Sequence, residues 1–408
     1  MKSHIKPLFF LLPLTLCISL ISCHDLKKKA DLIIYNAHVY APDSLSQDVS
    51  CIAVKGGKII AFGTDANVRS RYWAPENINV GGGYVYPGFT DAHSHFTGFA
   101  LGLRYADLTQ ARSFDEVLEI LQGYRKTHPE GWIVGRGWDQ NNWPEKQFPD
   151  NAKLNELFPG VPVVLTRVDG HAVLASEAAI KASGIELPGK KGQSLIHDGK
   201  FTGIFLEDMA DKLRNAVPLP AVNEISELLI TAARLCHMAG LTAVTDAGIN
   251  KSEILLLDSL QKSGRLNLRI DAWLSPTQEN FDYFLSDTIY HTPFLRVGAI
   301  KMYADGALGS RGALMLNPYL DDPKNQGIPV TSPEALAEIC KKAYDHGFQM
   351  NTHAIGDSAV RMVLHTYSKF LKPGDDRRWR VEHAQVVNEN DFDLFMKYHI
   401  IPSIQATH

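Results

Sequence analysis

Residues 86–96 read YPGFTDAHSHF, and His93 and His95 within them are spaced two apart. In an extended strand, side chains at i and i+2 point to one face, so two imidazoles there can share one cation. Further along, Lys301 lies in AIKMYADG, His353 in NTHAIGD, His383 in VEHAQ and His408 at the end of IPSIQATH. Neutral imidazole suits zinc and similar divalent ions, and an open position on the ion keeps a water whose pKa falls toward neutrality. A desolvated lysine can capture carbon dioxide, because burial depresses its pKa. The resulting carbamate is a carboxylate able to bridge two ions about 3.5–4 Å apart. On this reading His93, His95 and Lys301 hold one ion, and His353, His383 and the same bridge hold the other. The ligand types fit one or two divalent ions, zinc first, with manganese, iron or cobalt served by the same groups. Each residue alone is weak: a lone histidine is more often a core or surface residue, as His237 and His346 are read, and Lys301 could pair with Asp305.

The elements that must position these groups alternate. Helical runs stop at Gly240, Gly264 and Gly347, the usual residue just past a helix, and each is followed by a strand-like run. A helix between every two strands implies a parallel sheet with right-handed crossovers. Strands are expected at 85–93, 241–246, 267–274, 297–303, 348–353, 379–383 and 401–407. The expected fold class is therefore α/β, a (β/α)8 TIM-type barrel over 85–408, preceded by a small β-sandwich-like domain over 31–84. In such a barrel, side chains at the C-terminal ends of the strands converge on one mouth. Seven strands are countable and the barrel needs eight, so a further strand and helix are expected after His408. Residues 97–220 are too long for one crossover and must hold an insertion, within which Ser113 and Glu116 form a capping box.

Composition narrows the classes. The 408 residues carry a net charge of −4 with 21% charged residues, and no basic stripe marks a nucleic-acid surface. The apolar run LFFLLPLTLCISLIS follows Lys2 and Lys6 and ends at Cys23. It is short for a membrane span and contains Pro13, so residues 1–23 read as a secretion signal, with 24–30 as a tether. Of the remaining cysteines, Cys51, Cys236 and Cys340 are odd in number and lack CxxC spacing, which argues for buried apolar fillers over a disulfide framework.

PGFTDAHSH resembles the first-strand motif of the metal-dependent amidohydrolase superfamily. The lysine of the fourth strand and the histidines of the fifth and sixth continue the resemblance. GWDQNNWPEKQFP, RVDGHAVLAS, YADGALGSRGALMLNPY and NTHAIGD are similar to the amidohydrolase family 3 branch, which includes N-substituted formamide deformylases. The resemblance implies hydrolysis of a linear C–N bond, amide or formamide, by metal-activated hydroxide in a small-molecule substrate. Cyclic amides, esters or amino-substituted rings are the alternative substrates at such a site. It also implies an aspartate at the eighth strand as ligand and base, for which the sequence offers no residue. A non-catalytic metal- or ligand-binding lipoprotein is the rival class. Glu207 is a rival to Lys301 as ligand. His171, Asp305, Arg311, Trp138 and His408, with Asp139 beside Trp138, are candidate substrate contacts. LISC resembles a bacterial lipobox, which implies lipidation of Cys23 and a membrane-anchored place in the cell envelope. Assembly into a homo-oligomer is left open.

Overall fold

The computed structural model describes residues 27–40, 49–170, 172–186, 194–197, 200–285, 288–309 and 311–406. The expected signal, its tether up to residue 26 and Cys23, together with His171 and His408, lie outside the described residues. Among the described residues no helix is long and apolar enough to cross a membrane.

The chain divides at Gly88/Phe89 into two compact units, four residues after the boundary expected from the sequence. In the first, strands β1 (Leu32–Val39), β2 (Cys51–Lys55), β3 (Lys58–Gly63) and β4 (Glu76–Val85) form one sheet in the order β3-β2-β1-β4. Helix α1 (Asp65–Arg71) follows β3, capped by Thr64, whose hydroxyl accepts the Asn67 N–H. The described residues thus give a single four-stranded sheet and a two-residue parallel pair (Lys28–Lys29 with Tyr72–Trp73) where a sandwich of two sheets was expected. Gly81 and Gly82 sit at φ +65° and +83° in a bulge of β4 opposite Asn36, a backbone that side chains rarely adopt.

In the second unit, seven strands run parallel in chain order. They are β5 (Phe89–Asp91), β6 (Leu241–Ile249), β7 (Arg269–Leu274), β8 (Leu295–Tyr303), β9 (Gln349–Ala354), β10 (Arg380–His383) and β11 (Ile401–Ser403). Each pairs with its sequence neighbour, because every connection carries a helix that packs back on the sheet. This is a curled parallel α/β sheet. The glycine signals mark the helix ends: Gly240, Gly264 and Gly347 follow Val222–Met238, Lys251–Lys262 and Pro333–Asp345 and have φ of +81°, +73° and +73°. The first strand is shorter than expected, since Val85 belongs to β4 and β5 ends at Asp91, before both histidines.

The insertion folds as a six-stranded sheet of its own, ordered 194–197, 200–206, 172–175, 163–167, 133–138 and 106–107, over a core that includes Leu108, Leu121, Trp138 and Leu165. Its helix Phe114–Thr127 is capped by Ser113, which accepts the Glu116 N–H. Only half of the expected box forms, because the Glu116 carboxylate takes the Arg112 N–H instead. Cys51, Cys236 and Cys340 are all buried and unbridged.

Candidate metal centre and active site

His93 and His95 lie in the loop between β5 and helix α2 (Phe96–Gly102), not in a strand. Their placement therefore comes from contacts with other strands and not from i, i+2 alternation. The end of β6 grips this loop residue by residue. Ser94 donates its N–H to Thr245 Oγ1 at 2.7 Å, and the Ala247 N–H donates to the Ser94 carbonyl at 3.0 Å. His95 Nδ1 bonds the Ala247 carbonyl at 2.9 Å. The Asp246 carboxylate accepts the Thr97 N–H at 3.0 Å and hydroxyl at 2.6 Å. Asp246 is fully buried, and burial pushes its carboxyl up to about 7.

Around this loop the structure gathers the residues singled out by their spacing. Ring centroids are 5.8 Å apart for His93–His95, 4.9 Å for His93–His383 and 4.6 Å for His353–His383. Lys301, in the interior of β8 and 1% exposed, brings Nζ to 3.5 Å from His93 Nε2. Burial pushes its ammonium down to about 8, partly offset by the Glu382 carboxylate. Burial also lowers His353 to about 3 and His383 to about 4, helped by neighbouring imidazoles and Lys301, so both rings are neutral near pH 7.

The rings are also oriented. His93 Nδ1 meets Glu382 Oε2 at 2.5 Å, and His383 Nδ1 meets Gln405 Oε1 at 2.6 Å. An acceptor at Nδ1 puts the proton there, so His93, His95 and His383 carry their lone pairs on Nε2. Glu382 and His383 are consecutive, and regular alternation would send them to opposite faces. His383 has φ +71°, which turns the chain at the end of β10 and lets both side chains serve the same site. Sequence reasoning missed Glu382, Arg380, Gln405 and Asp246. The alternation of Arg380 and Glu382 in RVEH was the available signal for the first two.

Other expected contacts have different surroundings. The Asp305 carboxylate is buried and accepts three backbone N–H groups, from Leu314 at 2.9 Å, Ile355 at 3.0 Å and Gly356 at 2.8 Å. It anchors the loop after β8 to the end of β9 beside His353, which leaves it no place as a substrate contact. Trp138 is 1% exposed in the core of the insertion, with Nε1 donating to the Leu165 carbonyl at 2.9 Å, so it packs and does not line a pocket. Asp139 accepts Arg167 Nη2 at 2.6 Å. Arg311 is exposed at φ +57° and paired with Asp321 at 2.8 Å. Glu207 opens the helix Glu207–Ala216 of the insertion. His237 is exposed on its helix, as read.

The donor set fits a divalent ion. It combines neutral imidazoles with defined lone pairs, a buried amine and, in register beside Lys301, a fully buried Asn351 whose side-chain amide atoms are unpartnered among the described residues. The His, Cys, Asp and Glu side chains of the described residues do not by themselves form a ready cluster of three.

Residues 76–408 match the amidohydrolase family. YtcJ of Bacillus subtilis (strain 168), named as a candidate amidohydrolase, is 30% identical over 349 residues, 83% of this chain and 65% of that protein. The N-substituted formamide deformylase of Arthrobacter pascens is 29% identical over 381 residues, 87% of this chain and 69% of that enzyme. The chain thus spans about two thirds of the length of these relatives. An uncharacterized metal-dependent hydrolase from Pyrococcus horikoshii has the same fold, with a TM-score of 0.76 at 24% identity, over 92% of this chain and 74% of that one.

Proposed function

This chain belongs to the amidohydrolase family, and from that premise we propose that it is a metal-dependent hydrolase of linear C–N bonds in small amides or formamides. One observation carries the reading: imidazoles from the loop after β5, from β9 and from β10, separated widely in sequence, meet around the buried amine of β8. His93, His95 and Lys301 would hold one ion, and His353, His383 and the same lysine a second. A bound divalent ion supplies Lewis acidity, polarising a carbonyl and lowering the pKa of water. The chain contributes neutrality and aim. Burial keeps His353 and His383 unprotonated, while Ala247 and Gln405 fix the tautomers of His95 and His383. Lys301 is desolvated enough to react as an amine. Its nitrogen would add to carbon dioxide and lose a proton, giving a carbamate that would supply an anionic ligand.

The seven parallel strands are read as part of a (β/α)8 barrel, whose mouth is where such sites lie. The likeness to a formamide deformylase makes N-substituted formamides the first substrates to try. The apolar run before Cys23 supports export and lipid anchoring in the cell envelope. The test is metal content by elemental mass spectrometry together with amine release from formamides and amides. The wild-type protein is expected to hold one or two divalent ions, His353→Ala and His383→Ala fewer, and His237→Ala as many as wild type. Equal metal in all four overturns the site. Metal without amine release overturns the C–N chemistry.

A further inference from the structure

His93 sits in a closed arrangement of buried groups. Glu382 Oε2 accepts both His93 Nδ1–H at 2.5 Å and Arg380 Nη2–H at 3.0 Å, while Oε1 accepts Arg380 Nε–H at 2.6 Å. The Arg380 guanidinium lies 5.0 Å from the Trp273 ring centroid, and Trp273 meets His93 edge-on at 5.6 Å and 90°. Glu382 and Trp273 are fully buried. Arg380 also reaches the Ala92 carbonyl at 3.0 Å and Ser403 Oγ at 2.6 Å, tying the loop after β5 and strand β11 to β10.

From this geometry we infer that Glu382 is a positioning residue that locks His93 in its Nδ1-protonated tautomer, with Arg380 holding the carboxylate in place. The inference deepens the metal-site reading and rests on it for its consequence, which is that His93 Nε2 faces Lys301 as a lone-pair donor. Both carboxylate oxygens are used by donors only, so no orientation of an amide can replace them. In Glu382→Gln the NH2 must face either His93 Nδ1 or an Arg380 N–H. A flipped His93 tautomer would relieve the first conflict and turn a protonated Nε2 toward the ion's place. A carboxylate behind a ligating histidine also raises its basicity, and its loss typically weakens metal binding 10–100-fold.

The test reads tautomer and metal separately. In metal-free protein labelled with 15N-histidine, the His93 signals are identified by their loss in His93→Ala. The wild type is expected to show a protonated Nδ1 and a lone-pair Nε2, and Glu382→Gln a mixed or reversed pattern. Zn2+ affinity by chelator competition is expected to fall about 10–100-fold. Removing one partner of a buried charge pair can impair folding, so Glu382→Gln/Arg380→Gln is measured alongside. It removes both charges, and it should keep the weakened affinity. An unchanged His93 tautomer in a folded Glu382→Leu variant, which offers Nδ1 no acceptor at all, overturns the inference. So does recovery of wild-type Zn2+ affinity in the double variant, which would make Glu382 merely Arg380's counter-charge. A wild type with the Nδ1-protonated tautomer but no Zn2+ binding sinks the metal reading and leaves the positioning of His93 standing.

Discussion

Asp305 offers a direct separation of substrate binding from architecture. Its carboxylate accepts the N–H groups of Leu314, Ile355 and Gly356, all three inside the fold. Asp305→Ala strands these donors, at about 1–3 kcal/mol for each that stays unsatisfied. The vacated volume can admit a water that satisfies one of them. The expected loss of unfolding free energy is therefore about 3–5 kcal/mol. In Asp305→Asn the amide oxygen can replace Oδ2, which accepts two of the bonds, while the NH2 faces the Ile355 N–H. One bond is lost, so about 1–3 kcal/mol is expected. Urea unfolding of the metal-free protein at neutral pH gives the ranking. Amide hydrogen exchange at Leu314 and Gly356 should accelerate in the same order. A folded Asp305→Ala with wild-type stability and a raised KM would refute the anchoring argument and return Asp305 to the substrate.

Two further outcomes follow from the same region and from β6. An ideal Cβ at Gly356 would lie 2.1 Å from the Leu314 carbonyl oxygen, whereas one at Gly309 meets nothing within 4 Å. Gly356→Ala should therefore cost about 3 kcal/mol in urea unfolding and Gly309→Ala under about 1 kcal/mol; equal effects would show that the loop is not packed as described. Asp246, pushed up to about 7 by burial, keeps its proton in the folded state between about pH 4 and pH 7 after the unfolded chain has lost it. The contribution of Asp246 to wild-type stability should accordingly fall as pH rises through that window and level off above it, against the opposite contribution of His353 and His383. Asp246→Asn can keep both Thr97 bonds and lacks this slope, so its stability relative to wild type should improve by about 2–4 kcal/mol from pH 4 to pH 8, measured without metal. A pH-independent difference would refute the buried-carboxyl argument.

Much of the scaffold was legible in the residues themselves. Apolar spacing with a glycine after each helix is a local property, fixed by the left-handed backbone at Gly240, Gly264 and Gly347. Alternation of helix and strand then implied parallel strands in chain order, and a parallel sheet brings its C-terminal ends to one side. That is why His353, His383 and Lys301 could be grouped from sequence. What the tertiary structure decided was contact across elements. Glu382 reaches His93 through folding and through the φ of +71° at His383, which no period-two pattern contains. His95 is aimed by the Ala247 carbonyl of β6 and His93 by Glu382 of β10, and neither by their own spacing. Trp138 and Asp305 carry polar groups that suggested a pocket, but an indole N–H and a carboxylate serve equally well as buried anchors once backbone partners surround them. Sequence names the groups able to do chemistry; which of them meet solvent, backbone or one another depends on which strands become neighbours, and that is set by the packing of the whole chain.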